Sequence, residues 1–204
     1  MITILLATAA FAAIAALGLA AARGVCGPAG EPLPGGPPVG VVPQQALIAG
    51  SALLGAIAAW RGLPLPGLAI VGLACGLLTA IWASDVVRGI IPDVFTVVPL
   101  GAILLAAALA GHWEVPAAAV VPALPFAFLA WRSRGLGLGW GDVKLAMLGG
   151  PLIGMQNALM AFALGCLAAV VVARVRKTSH QPIAFAPYLA SAIALPLALV
   201  IRGH

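Results

Sequence analysis

Apolar runs alternate with short polar segments along almost the whole chain. Most runs approach the roughly 20 residues that a helix needs to cross the hydrocarbon core of a bilayer. The pattern therefore predicts an all-α, polytopic transmembrane bundle of about seven spans, forming a single domain over residues 1–204. The predicted spans are 2–22, 45–60, 66–84, 93–111, 115–131, 157–173 and 183–201.

Two further segments do not fit this alternation. Residues 24–43 are rich in Gly and Pro, which disfavour a regular helix, so we predict a loop outside the hydrocarbon on the cytoplasmic side. Residues 143–153 are apolar but contain Gly149, Gly150 and Pro151. We expect a break at these positions, with another Gly at position 154, which would divide the stretch into a short tilted or re-entrant helix over residues 143–153 and a returning span.

Composition supports the membrane prediction. The 204 residues are 63% hydrophobic and 7% charged, with a mean hydropathy of +1.17, which excludes an ordinary soluble domain. The net charge of +5 does not indicate nucleic-acid binding, because the basic residues lie almost entirely at the ends of apolar runs. The first run has no preceding Lys or Arg and is followed by Arg23, so it is interpreted as a span and not a signal peptide.

The basic residues also predict a topology. Placing most of them inside puts the N-terminus outside and leaves Arg61 and Arg202 as external exceptions. Lys144 and Arg174 can both lie inside only if the chain crosses the membrane an even number of times between them. The number of crossings in this stretch stays open.

The candidate chemistry lies in two short polar segments. Three of the five acidic residues fall in residues 84–93 and 135–146, which this topology places at the same membrane face. Two carboxylates brought together at that face would repel each other, which favours a state with one of them protonated. Aspartyl hydrolysis requires this state, so Asp85 and Asp142 are the predicted catalytic pair.

Each aspartate also has a structural interpretation. Asp142 would cap the helix that follows its Gly-rich segment, with Lys144 extending to the interface. Asp85 would pair with Arg88 at a helix end, and Asp93 would cap the fourth span after Pro92. For Asp93 capping is favoured over catalysis. The three Cys and three His residues lack ligand or disulfide spacing, so neither a metal nor a cofactor is expected.

The two segments together resemble the signature of the type IV prepilin peptidases, which are membrane-embedded GxGD aspartyl proteases. The first block is matched by Asp85, Arg88 and Ile91-Pro92-Asp93, with Asp93 in place of the family's Asn. The second block is matched by residues 139–145, which include Gly139, Gly141, Asp142 and Lys144. A weaker third match contains Pro182, Phe185 and Pro187, and the resemblance extends over residues 68–199.

This resemblance implies a function for the pair. Asp85 and Asp142 would cut the leader from precursors of type IV pilins, Flp-type pilins or pseudopilins at the cytoplasmic face of the bacterial inner membrane. The partners implied are the precursor's leader and adjoining apolar helix, the lipid bilayer and pilus or secretion assembly machinery. Larger members carry paired CxxC motifs and also methylate the new N-terminus. This chain has only Cys26 in the corresponding loop, so the resemblance implies a minimal peptidase without zinc or methyl transfer.

Other classes remain as alternatives. A presenilin-like or signal-peptide-peptidase-like protease shares GxGD, but its Pro-Ala-Leu motif follows GxGD, whereas residues 122–124 precede it here. An ion- or proton-coupled transporter would use the acids to bind cations, although such sites favour the bilayer midplane. A structural protein would need neither acid and would tolerate their replacement.

Overall fold

The computed structural model describes residues 1–26, 44–133, 138–175 and 185–200. In these ranges the regular elements are helices, which confirms the all-α prediction. They are α1 (Ile2–Cys26), α2 (Gln44–Trp60), α3 (Leu65–Arg88), α4 (Asp93–Ala110), α5 (Glu114–Val120), α6 (Leu124–Arg132), α7 (Trp140–Ile153), α8 (Met155–Val175) and α9 (Ala186–Val200). A 3-10 turn, Val121–Ala123, joins α5 to α6.

Seven apolar helical segments correspond to the predicted spans. Among the described residues five are long and apolar enough to cross a membrane, and two shorter apolar helices, Gln44–Trp60 and Ala186–Leu199, accompany them. The long segments are Ile2–Val25, Leu65–Val86, Asp93–Ala110, Glu114–Arg132 and Met155–Val172. The polytopic prediction is therefore confirmed. The fifth segment is not one regular helix, because the 3-10 turn interrupts it.

Helix boundaries differ from the predictions at two places. Helix α1 continues to Cys26, so the first residues of the predicted 24–43 loop are helical, and residues 27–43 lie outside the described ranges. The break after the GxGD segment comes at Gly154, the last of the expected break positions, and α7 ends at Ile153 as predicted but remains helical through Gly149 to Pro151. Gly154 has φ +81° and ψ 152°, a conformation that is essentially restricted to glycine.

The chain separates into two compact units, which are described separately. Unit 1 comprises residues 1–89 and 194–204, and in its described part α1 packs along both α2 and α3. The α1–α3 contact depends on two glycines, because a Cβ on Gly18 would lie 2.3 Å from the carbonyl oxygen of Gly76. Small residues let helix backbones approach closely in lipid, where hydrophobic burial does not drive association.

Unit 2 comprises residues 90–193 and is organised around α7. In its described part α7 packs against α4, α5, the 3-10 turn, α6 and α8. Leu145, Ala146 and Leu148 of α7 are completely buried. The helix that carries the GxGD aspartate is therefore the core element of unit 2.

One buried hydroxyl in α4 leads to a stability prediction. The side chain of Thr96 is fully buried, and its Oγ1 has no hydrogen-bond partner among the described residues. A buried unsatisfied hydroxyl costs about 1–3 kcal/mol, and valine replaces it with a methyl group of similar size. We therefore expect Thr96→Val to increase the free energy of unfolding by about 1 kcal/mol, measured as a higher melting temperature in thermal denaturation.

Thr79→Val is the matched control for this prediction. The Thr79 hydroxyl is also buried, but it donates to the carbonyl oxygen of Cys75 at 2.8 Å. Its replacement loses this hydrogen bond and should lower the melting temperature. A Thr96→Val variant that melts below the wild-type protein would show that the Thr96 hydroxyl has a partner in the folded protein.

Candidate functional site

Asp142 lies in the first turn of α7 and holds the start of that helix. Gly139 occupies the N-cap position with extended backbone, and its N–H donates to Oδ2 of Asp142 at 3.1 Å. This is the reciprocal bond of a capping box, in which a side chain at the third helical position satisfies the N-cap N–H. Asp142 is also buried, with 8% of its surface exposed. Its structural interpretation is therefore confirmed, and this capping bond is compatible with a chemical role.

Asp85 lies in the last turn of α3 and is equally buried. Its backbone carbonyl accepts the N–H of Gly89 at 2.7 Å, and Gly89, with φ +63°, ends the helix in the left-handed conformation. The neighbouring Ser84 hydroxyl donates to the Ile81 carbonyl at 2.9 Å. Arg88, in the same turn, is exposed.

Asp93 does not cap α4, and this prediction is wrong. The helix begins at Asp93 itself, Pro92 occupies the N-cap position, and in the described part of the chain no side chain makes a capping bond to this helix. Oδ1 of Asp93 instead accepts a hydrogen bond from Nζ of Lys144 at 2.5 Å. Lys144 therefore pairs with an acid 51 positions earlier in the chain, and both side chains remain partly exposed.

Gly141 makes the second contact between the same two segments. A Cβ on Gly141 would lie 3.0 Å from Cβ of Ile91, closer than ordinary van der Waals contact. Ile91 is buried. The absent side chain of Gly141 therefore lets the residue before Pro92 pack against the first turn of α7. By contrast, a Cβ on Gly139 would have ordinary contacts, and that glycine serves as the N-cap.

The third sequence block is only partly described. Pro182 lies outside the described residues. Phe185 packs against Phe126 and Tyr188, with ring centroids 6.1 and 6.5 Å apart, and Pro187 lies in the first turn of α9. These contacts give Phe185 a packing role, and its proximity to substrate stays a prediction.

A cavity of about 450 Å³ lies where α6 ends and α7 begins. It is lined by Ala130, Trp131, Arg132 and Trp140. The sequence indicates Trp131 and Trp140 only as interfacial anchors, since tryptophan is common at the end of a span. Their position around one cavity was missed because it depends on how the two helix ends meet. Trp140 is two residues from Asp142, so the cavity borders the GxGD turn.

The described residues contain no group of three or more His, Cys, Asp or Glu side chains that could hold a metal ion. The expectation of a reaction without a metal or cofactor stays a prediction.

Comparisons with known proteins agree with the resemblance. A sequence model described as "Type IV leader peptidase family" matches residues 72–174, a stretch that contains both Asp85 and Asp142. The chain is 33% identical over 171 residues to a prepilin leader peptidase/N-methyltransferase of Dickeya chrysanthemi. That alignment covers 77% of this chain and 59% of the relative, so the chain spans less than two thirds of the relative's length. No solved structure matches the chain significantly.

Proposed function

The chain belongs to the type IV leader peptidase family, and from this premise we propose that it is a membrane aspartyl endopeptidase. Its substrates would be the precursors of type IV pilins, Flp-type pilins or pseudopilins, and it would remove their leader peptides. The observation that carries the proposal is the family match, because it spans both aspartate segments. No observation favours a transporter or a presenilin-like enzyme.

In the proposed reaction one aspartate acts as a general base and the other as a general acid. An ionised carboxylate removes a proton from water, and the water oxygen attacks the carbonyl carbon of the scissile peptide bond. The other carboxyl group gives its proton to the carbonyl oxygen. These two steps together produce a tetrahedral intermediate. When the C–N bond breaks, the leaving nitrogen takes the proton that the base removed from water and becomes the new N-terminus. A hydroxyl group of the intermediate returns its proton to the acid, which leaves a new carboxyl group on the leader.

Helix ends suggest which aspartate has which role. Asp142 lies in the first turn of α7, where the partial positive charge of the helix N-terminus stabilises a carboxylate. Asp85 lies in the last turn of α3, where the partial negative charge of the C-terminus gives no such support. We therefore assign Asp142 as the base that activates water and Asp85 as the acid that protonates the carbonyl oxygen.

The proposed setting is the bacterial inner membrane, with both aspartates at the cytoplasmic face and the N-terminus outside. The long apolar helices support insertion in a bilayer. A pilin-like precursor keeps its basic leader inside while the adjoining apolar helix lies in the lipid, so a site at this face would meet the junction between them. The product would then pass to the pilus or secretion assembly machinery.

Cleavage by the isolated protein tests this proposal. The wild-type chain, reconstituted in liposomes with a type IV pilin precursor, is expected to convert the precursor to a faster-migrating band on a gel. Protein-free liposomes and a precursor without its apolar helix serve as controls. If the precursor remains intact in the presence of correctly folded wild-type protein, the proposed activity is contradicted.

The same reaction tests the absence of methyl transfer. Mass spectrometry of the mature product, made with S-adenosylmethionine present, should show a free N-terminal amine. This expectation follows from the lack of a second Cys near Cys26 in the sequence. An N-methylated product would overturn this part of the proposal and leave the peptidase activity standing.

A further inference from the structure

The ion pair between Asp93 and Lys144 joins the two sequence blocks within unit 2. Lys144 lies in the second turn of α7, and Asp93 is the first residue of α4. The Nζ and Oδ1 atoms are 2.5 Å apart, with 37% of the Lys144 side chain and 65% of the Asp93 side chain exposed. The pair therefore lies at the surface where α4 and α7 both begin.

A second contact lies beside this pair. Gly141 and Lys144 are three residues apart on α7 and so share one face of the helix. Ile91 packs against Gly141, and Asp93, two residues further along the chain, binds Lys144. The Ile91–Gly141 contact and the Asp93–Lys144 ion pair lie at successive turns of α7. Together they restrain both the sliding and the rotation of the start of α7 against the start of α4.

Asp142 lies within the restrained turn. It follows Gly141 directly, and its Oδ2 is held by the N–H of Gly139. The position of its carboxylate therefore depends on the position of the first turn of α7. We propose that the Asp93–Lys144 ion pair, together with the packing of Ile91 on Gly141, positions Asp142 for catalysis. This inference rests on the proposed peptidase function.

The expected effect is larger on rate than on stability. A partly exposed ion pair contributes little to stability, because water screens it and its side chains must be ordered. Reaction rate is more sensitive, since a displacement of about 1 Å can cost up to about 100-fold. Asp93 and Lys144 are thus positioning residues, with no direct contact to the scissile bond required.

Single variants and a charge exchange test the proposal in proteoliposomes with a type IV pilin precursor. We expect Asp93→Ala and Lys144→Met to lower kcat by about tenfold, with KM changed less than about twofold and the melting temperature changed by less than about 3 °C. Asp93→Asn should be intermediate, because its amide oxygen still accepts one hydrogen bond without the charge. The exchanged variant, Asp93→Lys with Lys144→Asp, should recover most of the wild-type kcat.

The exposed pair of His112 and Glu114 provides a matched control. Its atoms are 2.9 Å apart, and Glu114 is likewise the first residue of a helix, α5. Glu114→Ala should therefore leave kcat unchanged.

Three outcomes would overturn the positioning role. Single variants with wild-type kcat would show that the pair is dispensable. An exchanged variant as slow as the single ones would show that Lys144 or Asp93 acts individually, for example on the substrate. A wild-type protein that leaves the precursor intact would contradict the proposed function itself, and the positioning role with it.

Discussion

Asp142→Asn and Asp85→Asn are each expected to lower the rate of leader removal by about 10²–10⁴-fold, the range that positioned acid–base groups contribute. The amide of Asn has nearly the shape of the carboxyl group but cannot take a proton from water. With Asp142 as the base and Asp85 as the acid, Asp85→Asn is expected to keep the larger residual rate, because its amide can still donate a hydrogen bond to the scissile carbonyl. Gel-shift kinetics with a pilin precursor measure both variants.

The structure determines which substitution to use at Asp142. Alanine would remove the acceptor for the N–H of Gly139, and a lost helix cap costs about 0.5–2 kcal/mol, so fold and chemistry would change together. Asparagine retains an oxygen at this position. The Asn variant should therefore melt close to the wild-type protein while losing activity.

Glu114→Gln is the control for the loss of an acid. Glu114 is exposed and pairs with His112 at a helix start, so its neutral analogue should process the precursor at the wild-type rate. If Asp85→Asn or Asp142→Asn also cleaves at that rate, the two-aspartate mechanism is wrong. A slow variant with a normal melting temperature supports it.

Gly150→Ala is expected to destabilise unit 2 by 3 kcal/mol or more, about the upper end of the range for overpacked cores. A Cβ on Gly150 would lie 1.8 Å from the carbonyl oxygen of Ala118 and 2.8 Å from its carbon. These are backbone atoms of α5, so no side-chain rotation can make room and the helices must separate. Because α7 carries Asp142, leader removal should fall as well.

Thermal denaturation and the cleavage assay check this expectation together. Gly101→Ala in α4 is the matched control, because Gly101 is also helical but an added Cβ would have no atom of another described element within 4 Å. There the change should increase stability by about 0.5–1 kcal/mol through lower backbone entropy in the unfolded chain. A Gly150→Ala variant as stable as Gly101→Ala would disprove the close α5–α7 contact.

Much of the helical architecture was predictable because hydropathy is a local signal. Every predicted span has a helical counterpart, and the short helix after the GxGD segment is present as α7. Its ends were less predictable. Of the expected break positions only Gly154, where the backbone has positive φ, ends the helix, whereas Gly150 stays helical and packs closely against α5.

The sequence by itself determined the candidate chemistry. Ionisable residues are costly in an apolar chain, so Asp85 and Asp142 stood out by composition and by the motifs around them. Residue type and short-range spacing were enough for that prediction, and for the resemblance to a peptidase family.

Only the tertiary structure decided how the supporting residues act. The sequence favoured Asp93 as a helix cap, yet it pairs with Lys144, 51 residues away. Likewise, nothing in the spacing of Gly150 and Ala118 indicates that their backbones touch. Such contacts depend on how helices distant in sequence cross each other, and this geometry is set by packing over the whole of unit 2 and not by any local pattern.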